Sequence, residues 1–142
     1  MKEKDNFKND IIIGEKKELE ILNIIKGFDE DVYKIEGKFK PYDIIAPNLK
    51  KTFEVKFDIG SKKTPNFFLE YECNGKPSGL ASTKADYWVI CDEEENNFIN
   101  TTKLKDIAKT YGYKWEGTPY GGASNVKALL VRKKHIRENK VY

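Results

Sequence analysis

The stretch Thr52–Asp58, TFEVKFD, decides how the chain is read. Successive side chains of a β-strand point to opposite faces, so Phe53, Val55 and Phe57 fall on one side and Glu54, Lys56 and Asp58 on the other. The first side is a core face. The second sets two carboxylates around an ammonium. Just upstream, Lys40–Asp58 reads as two strands around the turn PNLKK, Pro47–Lys51. If Ile44 and Ala46 share the core of Phe53, Val55 and Phe57, then Asp43 lies on the face of Glu54 and Lys56. The same register turns Ile45 towards the polar side.

Further elements follow outward from this pair. Residues 12–26, IIGEKKELEILNIIK, read as a helix closed by Gly27. Leu22 and Ile25 are spaced for one face, and stepping back by turns from Leu22 reaches Glu18 and Glu15, which places both glutamates on or beside the buried stripe. Asp31–Gly37 is a short strand candidate and Asn66–Cys73, NFFLEYEC, a longer one. NGKPSG, residues 74–79, is a loop by its Asn-Gly, Pro and Gly content. STKAD opens a short helix with Ser82 or Thr83 as N-cap. The apolar run YWVIC, residues 87–91, is a buried strand. Thr102–Tyr111 is a helix with Leu104, Ile107 and Ala108 inward, and after the loop EGTPYGGASN a last strand or strand plus hook runs over Val126–Ile136. With no repeat and no linker, the 142 residues make one α/β (α+β) domain, residues 1–142, around a mixed sheet.

With 39% hydrophobic residues and 18 Phe, Tyr and Trp, there is enough apolar material to fold despite 35% charged residues. The net charge of +3 is too small to prescribe a polyanion partner. Its distribution is uneven: six Lys or Arg lie between Lys127 and Lys140 against the single acid Glu138, while acids collect in Asp92-Glu93-Glu94-Glu95. That asymmetry fits a nucleic-acid face and fits equally a solvated terminus. Cys73 and Cys91 have no metal-ligand spacing and are expected as reduced thiols, and His135 stands alone. The polar start and the short Ile11-Ile12-Ile13 run give neither a signal segment nor a membrane span, so a cytoplasmic protein is expected.

Asp43, Glu54 and one of Glu15 or Glu18, gathered around Lys56, would raise one another's pKa unless something pairs them. A hard divalent cation does so: Mg²⁺ takes oxygen ligands, usually one or two carboxylates plus waters and substrate phosphate. Such a cation acidifies water and stabilises charge on a phosphate. Lys56 can orient or deprotonate that water or neutralise the developing charge. Lys62, Lys63, Lys76 and Lys84 could contact phosphates, with Ser82 and Thr83 adding hydroxyls and helix N-terminal amides. Taken singly, each of these is more often a solubilising residue, and a lone Glu-x-Lys is most often a solvated strand face. Glu72 reads as surface, and Glu70 as surface or as a support to the site.

PYDII, the eleven residues from Asp43 to Glu54, and FEVK together resemble the PD-(D/E)XK nuclease superfamily. There an Asp on one strand and a Glu-x-Lys on the next form the active site. GEKKELE resembles the helix that supplies an extra glutamate in Holliday junction resolvases and phage-type endonucleases of that superfamily, with Glu15 the better match and Glu18 the second. NFFLEYECNGKPSGLASTKADYWVI resembles a block of small phage-encoded members, so the likeness runs from Gly14 to Ile90. Tyr42, between Pro41 and Asp43, departs from the pattern. The resemblance implies a restriction-endonuclease-like core and a DNA endonuclease using Mg²⁺, with Mn²⁺ able to substitute. Asp43, Glu54 and the Val55 carbonyl would ligate the metal, Lys56 would act on the water, and Glu15 or Glu18 would complete the acidic set. It also implies a homodimer, a preference for branched DNA such as a Holliday junction, and a phage-encoded enzyme working in the host cytoplasm. The competing expectations are a non-catalytic DNA- or protein-binding module on a nuclease fold and an RNA-directed nuclease.

Overall fold

The computed structural model describes residues 2–37, 40–58, 64–119 and 123–142, with side chains from residue 12 onward. Helix α1 (Lys2–Lys26) leads into β1 (Tyr33–Lys34), β2 (Ile44–Ala46) and β3 (Lys51–Phe57). Then follow β4 (Asn66–Cys73), β5 (Lys76–Pro77), β6 (Tyr87–Cys91), β7 (Asn96–Asn100), α2 (Thr101–Tyr111), β8 (Tyr113–Gly117), β9 (Val126–Arg132) and α3 (Lys133–Asn139). The fold is α+β.

Among the described residues the strands form two sheets. The first is mixed, in the order β1-β2-β3-β6-β7; the second is antiparallel, in the order β5-β4-β9-β8. In the first, β3 runs parallel to β6 while the other neighbours are antiparallel, so the chain leaves through β4 and β5 and returns to lie beside β3. The β2–β3 register pairs Ile44 with Phe53 and Ala46 with Lys51. Ile44, Ala46, Phe53 and Val55 then bury together against Ile21 and Ile25 of α1, with Phe57 partly buried beside them, as the alternation requires. β6 is covered on both faces: Val89 and Cys91 join this core, while Trp88 and Ile90 join a second one with Phe67 and Leu69 of β4, Leu104 and Ile107 of α2, and Ile136 of α3. That double burial is why YWVIC is apolar throughout.

Helix α1 begins well before residue 12 and buries Ile21 and Ile25, with Leu22 only partly covered. The stripe therefore keeps Ile25 and takes Ile21 in place of Leu22, a rotation of about 50°. Lys17 and Glu18 sit beside it half-buried, and Glu15 is exposed, contrary to the expected inward placement. At the helix end, Asp29 accepts hydrogen bonds from the backbone N–H of Asn48 at 2.8 Å and of Leu49 at 3.1 Å, clamping α1 to the β2–β3 turn. Asn74 and Gly75, with φ of 50° and 80°, make the tight turn joining β4 to β5. No helix opens at Ser82 or Thr83. A 3-10 turn, Gly79–Ala81, ends there, with Ser82 as its C-cap, because the Thr83 hydroxyl accepts from the Ala85 N–H and diverts the backbone from a helix. The acidic and basic runs of the last third pair with each other: Lys133 Nζ lies 3.0 Å from Asp92 Oδ2 and Arg137 Nε 2.8 Å from Glu95 Oε1. Among the described residues, no helix is long and apolar enough to cross a membrane.

Candidate metal centre

Asp43 stands just before β2, its backbone N–H donating to the Phe53 carbonyl at 2.9 Å. Alternate residues of β3 turn their backbone groups to opposite neighbours. The Asp86 N–H donates to the Thr52 carbonyl and the Asp58 N–H to the Cys91 carbonyl, which marks the even-numbered residues as facing β6. Phe53 and Val55 therefore face β2, which ends before it reaches Val55. The Asp43 side chain fills that gap, Oδ2 accepting from the Val55 N–H at 2.8 Å. The Val55 carbonyl leaves the strand on the same side, so a carboxylate and a backbone carbonyl are presented together.

Glu54 and Lys56 occupy the opposite face from Phe53 and Val55, next to Trp88 and Ile90 of β6. Lys56 Nζ lies 3.5 Å from Glu54 Oε1 and 5.9 Å from the centroid of the Trp88 ring. The Lys56 side chain is 48% exposed, whereas that of Glu54 is only 19% exposed. Burial and, after it, the negative charge of Asp43 push the Glu54 carboxyl up to about 7, with Lys56 and Lys40 pulling the other way. Trp88 is itself fixed by its indole N–H, which donates to the Thr83 hydroxyl at 3.0 Å. Asp58, third on the polar face, accepts from the Phe68 N–H at 2.8 Å and ties β3 to the second sheet.

The helix glutamate connected to this cluster is Glu18. Its Oε2 pairs with Lys34 at 2.8 Å and its Oε1 lies 4.0 Å from Lys40 Nζ. Lys40 Nζ in turn lies 3.0 Å from Asp43 Oδ1 and 3.4 Å from the Ile35 carbonyl. Sequence reasoning passed over Lys40; its signal is its place in KPYD, three residues before Asp43. Among the described residues Glu15 makes no ion pair; it contributes to the field at Lys34, whose pKa is raised, first by the Glu18 hydrogen bond. Among the described residues, no three His, Cys, Asp or Glu side chains gather as a metal cage. The donors here are two carboxylates and a carbonyl, a hard oxygen set of the kind Mg²⁺ accepts when water and substrate complete its shell. The ammonium of Lys40, ringed by oxygens, already marks the place as one that attracts a cation. These residues fit the metal.

The residues expected to contact nucleic acid are dispersed by comparison. Lys62 and Lys63 lie outside the described residues. Lys76 on β5, Ser82 and Lys84 are exposed, whereas the Thr83 hydroxyl is engaged by Ala85 and Trp88. Glu72 pairs with Lys127 at 3.1 Å on the outer surface, and burial pushes the Cys91 thiol up to about 12, which leaves it unfit as a nucleophile. Compared with protein-family models, with curated proteins and with solved structures, the chain matches none.

Proposed function

We propose that the chain is a metal-dependent endonuclease of the PD-(D/E)XK type acting on DNA, with a second copy of the chain as its partner. One observation carries this reading: Asp43, just before β2, lies near enough to the half-buried Glu54 of β3 for its charge to raise the Glu54 carboxyl, with the Val55 carbonyl on the Asp43 side and Lys56 beside Glu54. The sequence resemblance supports it with the same residues in the same order. Asp43, Glu54 and the Val55 carbonyl would hold Mg²⁺ or Mn²⁺, which when bound supplies charge neutralisation at the scissile phosphate and an acidified water. Lys56, over Trp88 and paired with Glu54, keeps nearly half of its side chain exposed. It orients the attacking water and stabilises the charge that develops on the phosphate oxygens. Of the helix glutamates, Glu18 is the one that completes the acidic set, through its ammonium contacts with Lys34 and Lys40.

The test is incubation with plasmid, linear, single-stranded and four-way-junction DNA, and with RNA, each with and without Mg²⁺. Cleavage of DNA that requires the metal is the expected result. Lys56→Ala should keep DNA binding and lose cleavage by orders of magnitude, and Glu18→Gln should reduce turnover more than Glu15→Gln. DNA binding without cleavage of any substrate would instead identify a non-catalytic module. Preferential cleavage of RNA would change the substrate class.

A further inference from the structure

Lys34 and Lys56 each sit against one carboxylate at the rim of the cluster, Glu18 and Glu54 respectively. Lys40 is placed differently. Its ammonium lies 3.0 Å from the Asp43 oxygen that Val55 does not use, 3.4 Å from a backbone carbonyl and 4.0 Å from Glu18. One ammonium thus draws oxygens from α1, from the end of β1 and from the start of β2, as a bound cation would. Resting on the metal reading above, we propose that Lys40 is a resident counter-cation of the acidic cluster, occupying it without a divalent ion and leaving when one binds.

Three considerations support the exchange. Asp43 Oδ2 is committed to the Val55 N–H, so Oδ1 is the oxygen left for a metal, and Oδ1 is where Lys40 sits. An ammonium and a divalent ion cannot share that oxygen at ligand distance without like-charge repulsion. The lysine stem is long and flexible, and the side chain is 22% exposed, so the ammonium can swing to solvent with no backbone movement. Without a metal, the lysine holds Asp43 in the position that the β2–β3 register assigns to it. A divalent ion must then displace an internal competitor, which sets a threshold for binding.

Calorimetric titration with Mn²⁺ tests this on the whole chain, comparing wild type with Lys40→Met, Lys40→Gln and Lys34→Met. Removal of the competitor should tighten Mn²⁺ binding by about tenfold in both Lys40 variants, with a lower melting temperature in the absence of metal. Lys40→Gln keeps a hydrogen-bond donor near Asp43 and guards against a folding failure of Lys40→Met. Lys34→Met removes the same charge from Glu18 but none from Asp43, and should change the affinity less than threefold. Unchanged or weaker Mn²⁺ binding in the Lys40 variants, or equal tightening in Lys34→Met, overturns the exchange while leaving the metal centre intact. No Mn²⁺ binding in any of the proteins overturns the metal reading, and the exchange with it.

Discussion

Asp43, just before β2, and Glu54 of β3 are both carboxyl groups of one cluster, but their surroundings differ. Both oxygens of Asp43 accept hydrogen bonds or an ion pair, from Val55 and Lys40. Replacing it by Asn turns an NH₂ group against one of those donors, so Asp43→Asn should lower metal-free stability by about 1–3 kcal/mol. Relief of carboxylate repulsion, the effect that the sequence alone suggests, is the smaller term at this residue. Among the described residues Glu54 pairs with Lys56 at 3.5 Å, and it is disfavoured as an anion by burial first and by Asp43 second. Neutralising it should therefore raise metal-free stability at pH 8. A shift from 4.5 to about 7 corresponds to at most roughly 3 kcal/mol. Denaturant unfolding of the two variants in EDTA at pH 8 checks the pair, and the same sign in both would contradict the geometry.

At the scale of elements, the β2–β3 hairpin was fully legible, because strict alternation and a short turn leave only one register that buries Phe53 and Val55 with Ile44 and Ala46. The phase of α1 was not. Ile21, Leu22, Ile24 and Ile25 are all apolar, so the sequence allows two neighbouring stripes, and only packing on β3 selects Ile21 and Ile25 and thereby Glu18 over Glu15. Strand β7, NNFIN, has weak strand propensity and owes its state to pairing with β6, Trp88 opposite Ile99 and Val89 opposite Phe98. Strand β8, YKWEG, carries a readable alternation of Tyr113 and Trp115, overshadowed by the Gly-rich run after it. The division into two sheets had no local signal, since it depends on which distant strands pair. Gly14 lies within α1, and among the described residues nothing beyond the helix's own neighbouring backbone comes within 4 Å of where a Cβ would stand. Gly14→Ala should therefore stabilise the protein by roughly 0.5–1 kcal/mol, read as a rise in denaturation midpoint. A loss of stability would show that α1 needs the glycine for close packing.

For the whole molecule, charge sets a pH window. Burial alone would raise Asp29 and Asp92. In Asp29 the backbone N–H groups of Leu49, Asp31 and Asn48 outweigh it, and in Asp92 the Lys133 ammonium and the Glu94 and Glu95 amides do, so both carboxyls lie below their ordinary value. Their contribution is present above the unfolded carboxylate range and is lost as pH falls through the lowered folded values. Glu54 has the opposite sign: its raised pKa gives a contribution that is full below 4.5 and is lost as pH rises through about 7. Metal-free protein should thus melt highest near pH 5, with Glu54→Gln removing the decline on the alkaline side. A melting series across pH in EDTA measures it, and an alkaline decline that persists in Glu54→Gln would place its source elsewhere. The pairing of the basic last third bears on how such a protein would grip a polyanion. Lys127, Lys133 and Arg137, three of the six cations between Lys127 and Lys140, already have carboxylate partners in Glu72, Asp92 and Glu95. A cation that keeps its carboxylate partner releases no condensed counterion from a phosphate backbone. Among the described residues, Arg132, Lys134 and Lys140 show no such partner, so the salt dependence contributed by this stretch is expected to be shallower than its composition suggests.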